Sequence, residues 1–192
     1  MTPALSVIYY SNNRVPAALQ RFCLAKLRAA VPGELICIVR PGAASHRALY
    51  RQILEGLSTA TGRIVALAEH DVLYPAGYFE ALIDAAPAGI VYNTNVYRLN
   101  RYGYFRSDNP HLLSNCGAPR PALRRAIRQK LAEGEIPEFA EPDPDAEFRS
   151  PHPTIDIRHS QNFTGPRRPD NRHYQKSITY WGPHTQYSRL LS

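Results

Sequence analysis

Three short apolar runs, over residues 5–10 (LSVIYY), 34–39 (ELICIV) and 63–68 (RIVALA), are separated by stretches long enough to carry a helix each time. Strands joined in this way pair in parallel through right-handed crossovers, because each connection must bring the chain back across the sheet. The connecting stretches have the matching pattern. Behind Pro16, residues Leu19, Phe22, Cys23, Lys26 and Leu27 follow mostly helical spacing to residue 30. Leu49, Ile53, Leu57 and Ala60 mark the buried face of a second helix over 45–59, which Gly62 closes. The first half therefore predicts an α/β layer built on a largely parallel sheet.

The third run ends abruptly in Glu69-His70-Asp71. Acids and a histidine do not belong inside a strand buried on both faces, so the triplet is placed at the strand's carboxyl end. Open α/β sheets bind ligands at that edge, and these three side chains can hold a metal or carry protons. The competing reading is a polar surface turn.

At 192 residues, with 44% hydrophobic and 20% charged, the chain has the length and composition of one soluble domain with a real core. No apolar stretch approaches a membrane span, and the first strand begins at Leu5 without the pattern of a secretory leader. The expectation is a cytoplasmic protein of a bacterium or a virus-infected host cell. Cys23, Cys37 and Cys116 fit neither a disulfide framework nor a CxxC metal site, and Cys23 and Cys37 are expected in the core. The formal charge is +7, carried by 20 Arg against 3 Lys. Arginine suits bidentate phosphate contacts, so the excess favours phosphorylated partners; a solvated arginine-rich surface is the alternative.

The second half is less regular. After Pro75 a helix is expected to about residue 86, then a strand over 90–99, a hairpin within 102–107 and a helix over 119–133 striped by Ala122, Ala126, Ile127 and Leu131. An acidic, proline-punctuated segment follows, containing Asp143, Asp145 and Glu147. From residue 136 onward loops and short strands are expected over the sheet edge, where closing segments carry binding groups. Within them, Asp156 and Arg158 alternate with Ile155 and Ile157 as in a short strand, and His159 stands at its end.

The run Ala48-Leu49-Tyr50-Arg51-Gln52-Ile53, then Ala60-Thr61-Gly62-Arg63-Ile64-Val65, then Glu69-His70-Asp71-Val72-Leu73-Tyr74-Pro75, resembles the GT-A glycosyltransferases. The branch it looks most like is the family 2-type, whose members read aRN-x-x-x-x-x-A-x-G-x-x-I-x-x-x-D-x-D at the equivalent place. The match covers roughly residues 5–84. It departs in two ways: Glu69-His70-Asp71 replaces Asp-x-Asp, and Arg40-Pro41-Gly42 stands where an acidic pair contacts the nucleotide base.

The resemblance implies a single Rossmann-like GT-A domain over 1–192, with a mixed, mostly parallel central sheet and a loop-rich C-terminal segment. Residues 1–100 would bind the nucleotide sugar, and 101–192 would face the acceptor and close the site. It implies a divalent metal, Mn²⁺ or Mg²⁺, bridging the diphosphate of a donor that is most commonly a UDP-sugar. Asp71 is the main ligand in this reading, with His159 returning from the C-terminal side as a second. Glu69 acts through water or on the sugar, and His70 ligates or supports the site. Ser11, Asn12 and Asn13 would hold the nucleoside, Arg51 and Gln52 lie on the donor side, and Arg158, Arg167 and Arg168 would neutralise the diphosphate. A general base for the acceptor hydroxyl is sought among Asp143, Asp145, Glu147 and Asp108.

The function expected is thus metal-dependent transfer of a sugar to an acceptor hydroxyl. The arginine excess and the tail aromatics suggest an acidic acceptor, a hydroxymethylated DNA base being one candidate. Two alternatives stand beside it: a noncatalytic nucleic-acid-binding protein, and a metal-dependent nucleotidyltransferase on a similar layer.

Overall fold

The computed structural model describes residues 4–42, 45–133, 141–159 and 173–191. Three strands, β1 (Leu5–Ser11), β2 (Glu34–Val39) and β3 (Ile64–Glu69), alternate with two helices, α1 (Ala17–Ala30) and α2 (His46–Thr59). They pair in parallel, β1 lying between the other two. Every residue of β1 is buried, because helices cover both faces. Ile8 and Tyr10 pack towards Tyr50, Ile53 and Leu57 of α2, while Val7 and Tyr9 pack towards Leu27 of α1.

The chain continues through β4 (Val72–Leu73), α3 (Tyr78–Ala85), β5 (Val91–Asn93), β6 (Val96–Asn100), β7 (Gly103–Arg106), β8 (Cys116–Pro119) and α4 (Arg120–Ala132). It closes with β9 (Ala146–Phe148), β10 (Thr154–Ile157), β11 (Ser177–Ile178) and β12 (Gly182–Pro183). The central sheet has the order β2-β1-β3-β8-β5-β9. It is mixed: β8 runs antiparallel to both β3 and β5, and the other pairings are parallel. A second sheet, β4-β10-β6-β7, stands on the α1 side, where Leu19 and Cys23 pack against Leu73, Leu99, Ile155 and Ile157. No helix among the described residues is long and apolar enough to cross a membrane.

Four expectations need correction. The single strand over 90–99 is two strands in different sheets. Asn93 Oδ1 accepts the N–H groups of Asn95 (3.1 Å) and Ser150 (3.0 Å), and that side-chain-closed turn moves the chain from one sheet to the other. Strand β8 was not expected from Cys-Gly-Ala-Pro, a sequence of low strand propensity; it exists because two neighbouring strands pair with it. The buried face of α2 is Tyr50, Gln52, Ile53, Gly56 and Leu57; Ile53, Leu57 and Ala60 are buried as expected, whereas Leu49 is only half-buried against the same core, Gly56 letting the helix approach Ile8 closely. Cys37 is exposed, whereas Cys23 and Cys116 are buried, and all three are free.

Part of the arginine excess has a structural use. Arg124 donates to Leu57 O (2.6 Å) and Arg120 to Ala60 O, both at the end of α2. Arg47 donates to Leu131 O (3.0 Å) and Glu133 O (2.7 Å) at the end of α4. Cationic donors satisfy the carbonyls that a helix leaves unpaired at its C-terminus.

Candidate metal centre

Strand β3 delivers Glu69 to the carboxyl edge of the parallel strands, and His70 and Asp71 form the turn into β4. That turn is fixed from the other side. The Ile157 N–H donates to Asp71 O at 2.9 Å, and β10 pairs antiparallel with β4, Asp156 opposite Val72. His159, two residues beyond β10, therefore returns to the turn. Its Nε2 stands 3.3 Å from Asp71 Oδ2, and His70 Nε2 stands 4.0 Å from the same oxygen.

One ligand atom from each of His70, Asp71 and His159 lies within 4.8 Å of the others, so the three can hold a metal ion. Ligands about 2.1 Å from a common ion stand about 3–4 Å apart, which the two Asp71 distances match. Asp71 and His159 are buried and His70 half-buried. His70 Nδ1 is buried without a hydrogen-bond partner, a cost that only a partner at that nitrogen itself would offset. Burial works against ionisation of Asp71, yet the two imidazoles and Arg158 hold its carboxyl below the ordinary aspartate range.

Glu69 is held differently. Its N–H donates to the Tyr74 hydroxyl (3.3 Å), which donates to Ser114 O (2.8 Å), and Tyr10 is its register partner on β1. Burial first, and then the charges of Asp71, Asp156 and Glu141, push its carboxyl up to about 8. Beside the group lies a buried Asp156, whose Oδ2 is 3.2 Å from Arg98 Nε and 3.5 Å from an Arg158 guanidinium nitrogen. Arg98 is its register partner on β6. Burial raises the Asp156 pKa, and the Asp71 carboxylate adds to the effect while the two arginines oppose it.

Of the residues singled out in the sequence, Glu69, His70, Asp71, Arg158 and His159 meet here. The loop of Ser11, Asn12 and Asn13 lies at the same edge, beyond Tyr10. Ser11 is engaged internally, its N–H donating to Gln52 Oε1 (3.1 Å) and its Oγ accepting from the Asn13 N–H (3.0 Å). Asn12 Oδ1 accepts the Arg14 N–H (3.0 Å) and Asn13 has φ +60°, so these side chains and the buried Gln52 build the loop. Arg51 is exposed on α2. Arg40, in the place of the absent acidic pair, is ion-paired with Glu55. Arg167 and Arg168 lie outside the described residues.

Asp143 and Asp145 do not join the group. The register sets Ala146 level with Val91, Gly117 and Ala66 in turn, so Asp145 is four residues behind Glu69 and three strands across. That is roughly 13 Å along the strands and about 14 Å across them. Asp145 accepts the Ile90 N–H at 2.7 Å, and Glu147 pairs with His111 Nε2 at 2.6 Å. Asp108 follows β7 at the end remote from the β6–β7 turn. Arg98 was the residue missed: a cation among apolar residues was its one signal, and only the pairing of β6 with β10 gives it meaning.

No protein-family model matches the chain, and no curated protein matches it at a significant level.

Proposed function

We propose that this chain is a compact, metal-dependent glycosyltransferase of the GT-A type, which moves a sugar from a nucleotide-sugar donor to an acceptor hydroxyl. The observation that carries the reading is the His70-Asp71-His159 group at the carboxyl edge of the parallel strands, with Arg98 and Arg158 gathered beside it on Asp156. A cation site flanked by guanidinium groups suits a diphosphate. Two imidazoles with one carboxylate suit Mn²⁺ better than Mg²⁺, which prefers oxygen ligands in an octahedron.

In this reading the acceptor oxygen bonds to the anomeric carbon as the carbon–oxygen bond to the diphosphate breaks. The bonding electron pair leaves with the diphosphate, and the acceptor proton passes to a carboxylate. Bound metal would supply Lewis-acid stabilisation of the leaving diphosphate. Arg98 and Arg158 orient that group and add charge, while Asp156 keeps the two guanidinium groups in place. Asp145 stands too far from the group for proton transfer. Glu69 is the carboxyl beside it, and because burial and neighbouring charge push it up to about 8, it takes that proton only in its ionised form, a fraction that grows as pH rises towards 8. UDP is the donor base to try first.

A thermal-shift screen of nucleotide sugars, with and without Mn²⁺, tests the reading. A rise in melting temperature with a nucleotide sugar that needs both Mn²⁺ and Asp71 supports it. If no nucleotide diphosphate or nucleotide sugar shifts the transition in the presence of metal, the reading fails. A shift given by nucleoside triphosphates alone, with pyrophosphate released on turnover, selects the nucleotidyltransferase instead.

A further inference from the structure

Two large hydrophobic side chains are prominently exposed among the described residues, Tyr102 and Tyr180. Tyr102 stands in the β6–β7 turn. Strands β6 and β10 run parallel with Leu99 level with Ile157, and the Arg158 N–H donates to Leu99 O at 2.8 Å. Strand β6 ends at Asn100 and β10 at Ile157, so the β6–β7 turn and His159 lie at the same end of this sheet. The β6–β7 turn, Arg101-Tyr102, therefore lies at the same sheet end as the candidate site.

The turn is firmly built. The Tyr102 N–H donates to Asn100 Oδ1 (2.8 Å), and Lys176 Nζ donates to Tyr102 O (2.8 Å). Tyr104 and Gln175 exchange backbone hydrogen bonds of 2.9 and 2.8 Å. Gly103 has φ +133°, and a Cβ there would stand 2.6 Å from Gln175 O. The Tyr102 ring lies 5.8 Å from that of Tyr174, which meets Phe105 at 5.5 Å. The Arg101 guanidinium lies 4.8 Å from the Tyr102 ring centroid and donates to its hydroxyl (2.6 Å). Despite these supports, 37% of Tyr102 remains exposed.

Cations predominate in the segments that build and brace this turn. Residues 96–107 and 173–191 include Arg98, Arg101, Arg106, Lys176 and Arg189 but no Asp or Glu. Arg101, Arg106 and Lys176 are exposed. An aromatic ring presented among cations fits a partner that carries both planar rings and regularly spaced negative charge. A neutral glycan would use the ring but not the charge, and a duplex keeps its bases stacked away from it.

We propose that the β6–β7 turn is a docking platform for single-stranded nucleic acid, one base stacking on Tyr102 while Arg101 and Lys176 hold neighbouring phosphates. That this strand is the acceptor of the transferase rests on the function proposed above; the platform itself does not.

Fluorescence anisotropy with a labelled mixed-sequence single-stranded oligonucleotide tests it, without metal or nucleotide, so its result is independent of donor binding. An abasic strand of equal length and a neutral oligosaccharide competitor complete the set. The oligonucleotide is expected to bind more tightly than the abasic strand, Tyr102→Ala to weaken it about tenfold, and Tyr102→Phe to keep most of the affinity. The abasic strand should be indifferent to Tyr102→Ala but weakened by Arg101→Gln with Lys176→Gln. Equal binding of both strands, with no effect of Tyr102→Ala, overturns the proposal in favour of a polyanion contact elsewhere. Absence of oligonucleotide binding, or its displacement by the neutral oligosaccharide, overturns it as well. Unchanged melting temperatures of the variants exclude misfolding as the cause of any loss.

Discussion

Asp71 and His159 are joined twice: Oδ2 of the first stands 3.3 Å from Nε2 of the second, and the backbone carbonyl of Asp71 accepts the N–H of Ile157, two residues before that histidine. The candidate metal group is thus made by one turn of the first half and one strand end of the second. Asp71→Ala is expected to weaken Mn²⁺ binding by about 100-fold or more, since it removes the only carboxylate of the group. Isothermal titration with Mn²⁺ measures this, and binding retained within a fewfold would remove Asp71 from the ligand set.

The nitrogen-rich donor set ranks the metals. Mn²⁺ should raise the melting temperature at concentrations where Mg²⁺ does nothing, and His159→Ala should narrow the difference. A larger shift with Mg²⁺ would show that the imidazoles do not ligate.

Asp156→Asn leaves Arg98 and Arg158 without the carboxylate between them. Removing one member of a buried ion cluster costs about 3–5 kcal/mol, and partial exposure of both guanidinium groups lowers the expectation to about 2 kcal/mol. Urea denaturation should record that loss. A neutral result would mean that the arginines are held by other groups.

Gly62 closes the approach from α2 to β3, and a Cβ there would stand 2.5 Å from Ser6 N and 2.6 Å from Leu5 C. Backbone cannot move aside as a side chain does. Gly62→Ala should therefore destabilise the fold by about 3 kcal/mol, near the upper end for overpacking. Gly42→Ala, where a Cβ meets nothing within 4 Å, is the control expected to be near neutral.

Glu34 gives a pH dependence with a definite sign. Burial opposes its ionisation, but bonds from the Ser6 hydroxyl, the Thr61 N–H (2.9 Å) and the Thr61 hydroxyl (3.1 Å), with the charge of Arg120, outweigh it. Its carboxyl is thereby held below the ordinary value of 4.5. A group depressed in the folded state contributes stability above its unfolded pKa and loses it as pH falls through the folded one. Stability should decline from about pH 4.5 downward, and Glu34→Gln should flatten that decline in melting temperature against pH. An unchanged profile would assign the acid sensitivity to other carboxyls.

The parallel half of the fold is legible in the sequence because its signals are local. Val, Ile and Leu runs, helical spacing and Gly62 each act within a few residues, and Glu69-His70-Asp71 announces itself by ending such a run. Asp156, Arg158 and His159 are legible as a strand and its end for the same reason. What is not legible depends on pairing. Nothing in Cys-Gly-Ala-Pro announces β8, since its strand geometry is imposed by β3 and β5. Arg98 acquires meaning only when β6 lies beside β10. Asp143 and Asp145 read as candidate bases because spacing along the chain says nothing about which end of the sheet a strand starts from.

The insertion of β10 between β4 and β6 also sets an order of events during synthesis. A ribosome that has released only the first 150 residues has delivered Glu69, His70 and Asp71 but neither the strand that pins their turn nor the second imidazole. Tight uptake of metal must then wait for the last quarter of the chain. An ion held by this group would then report that the turn at residues 69–71 and the strand end at 157–159 have come together.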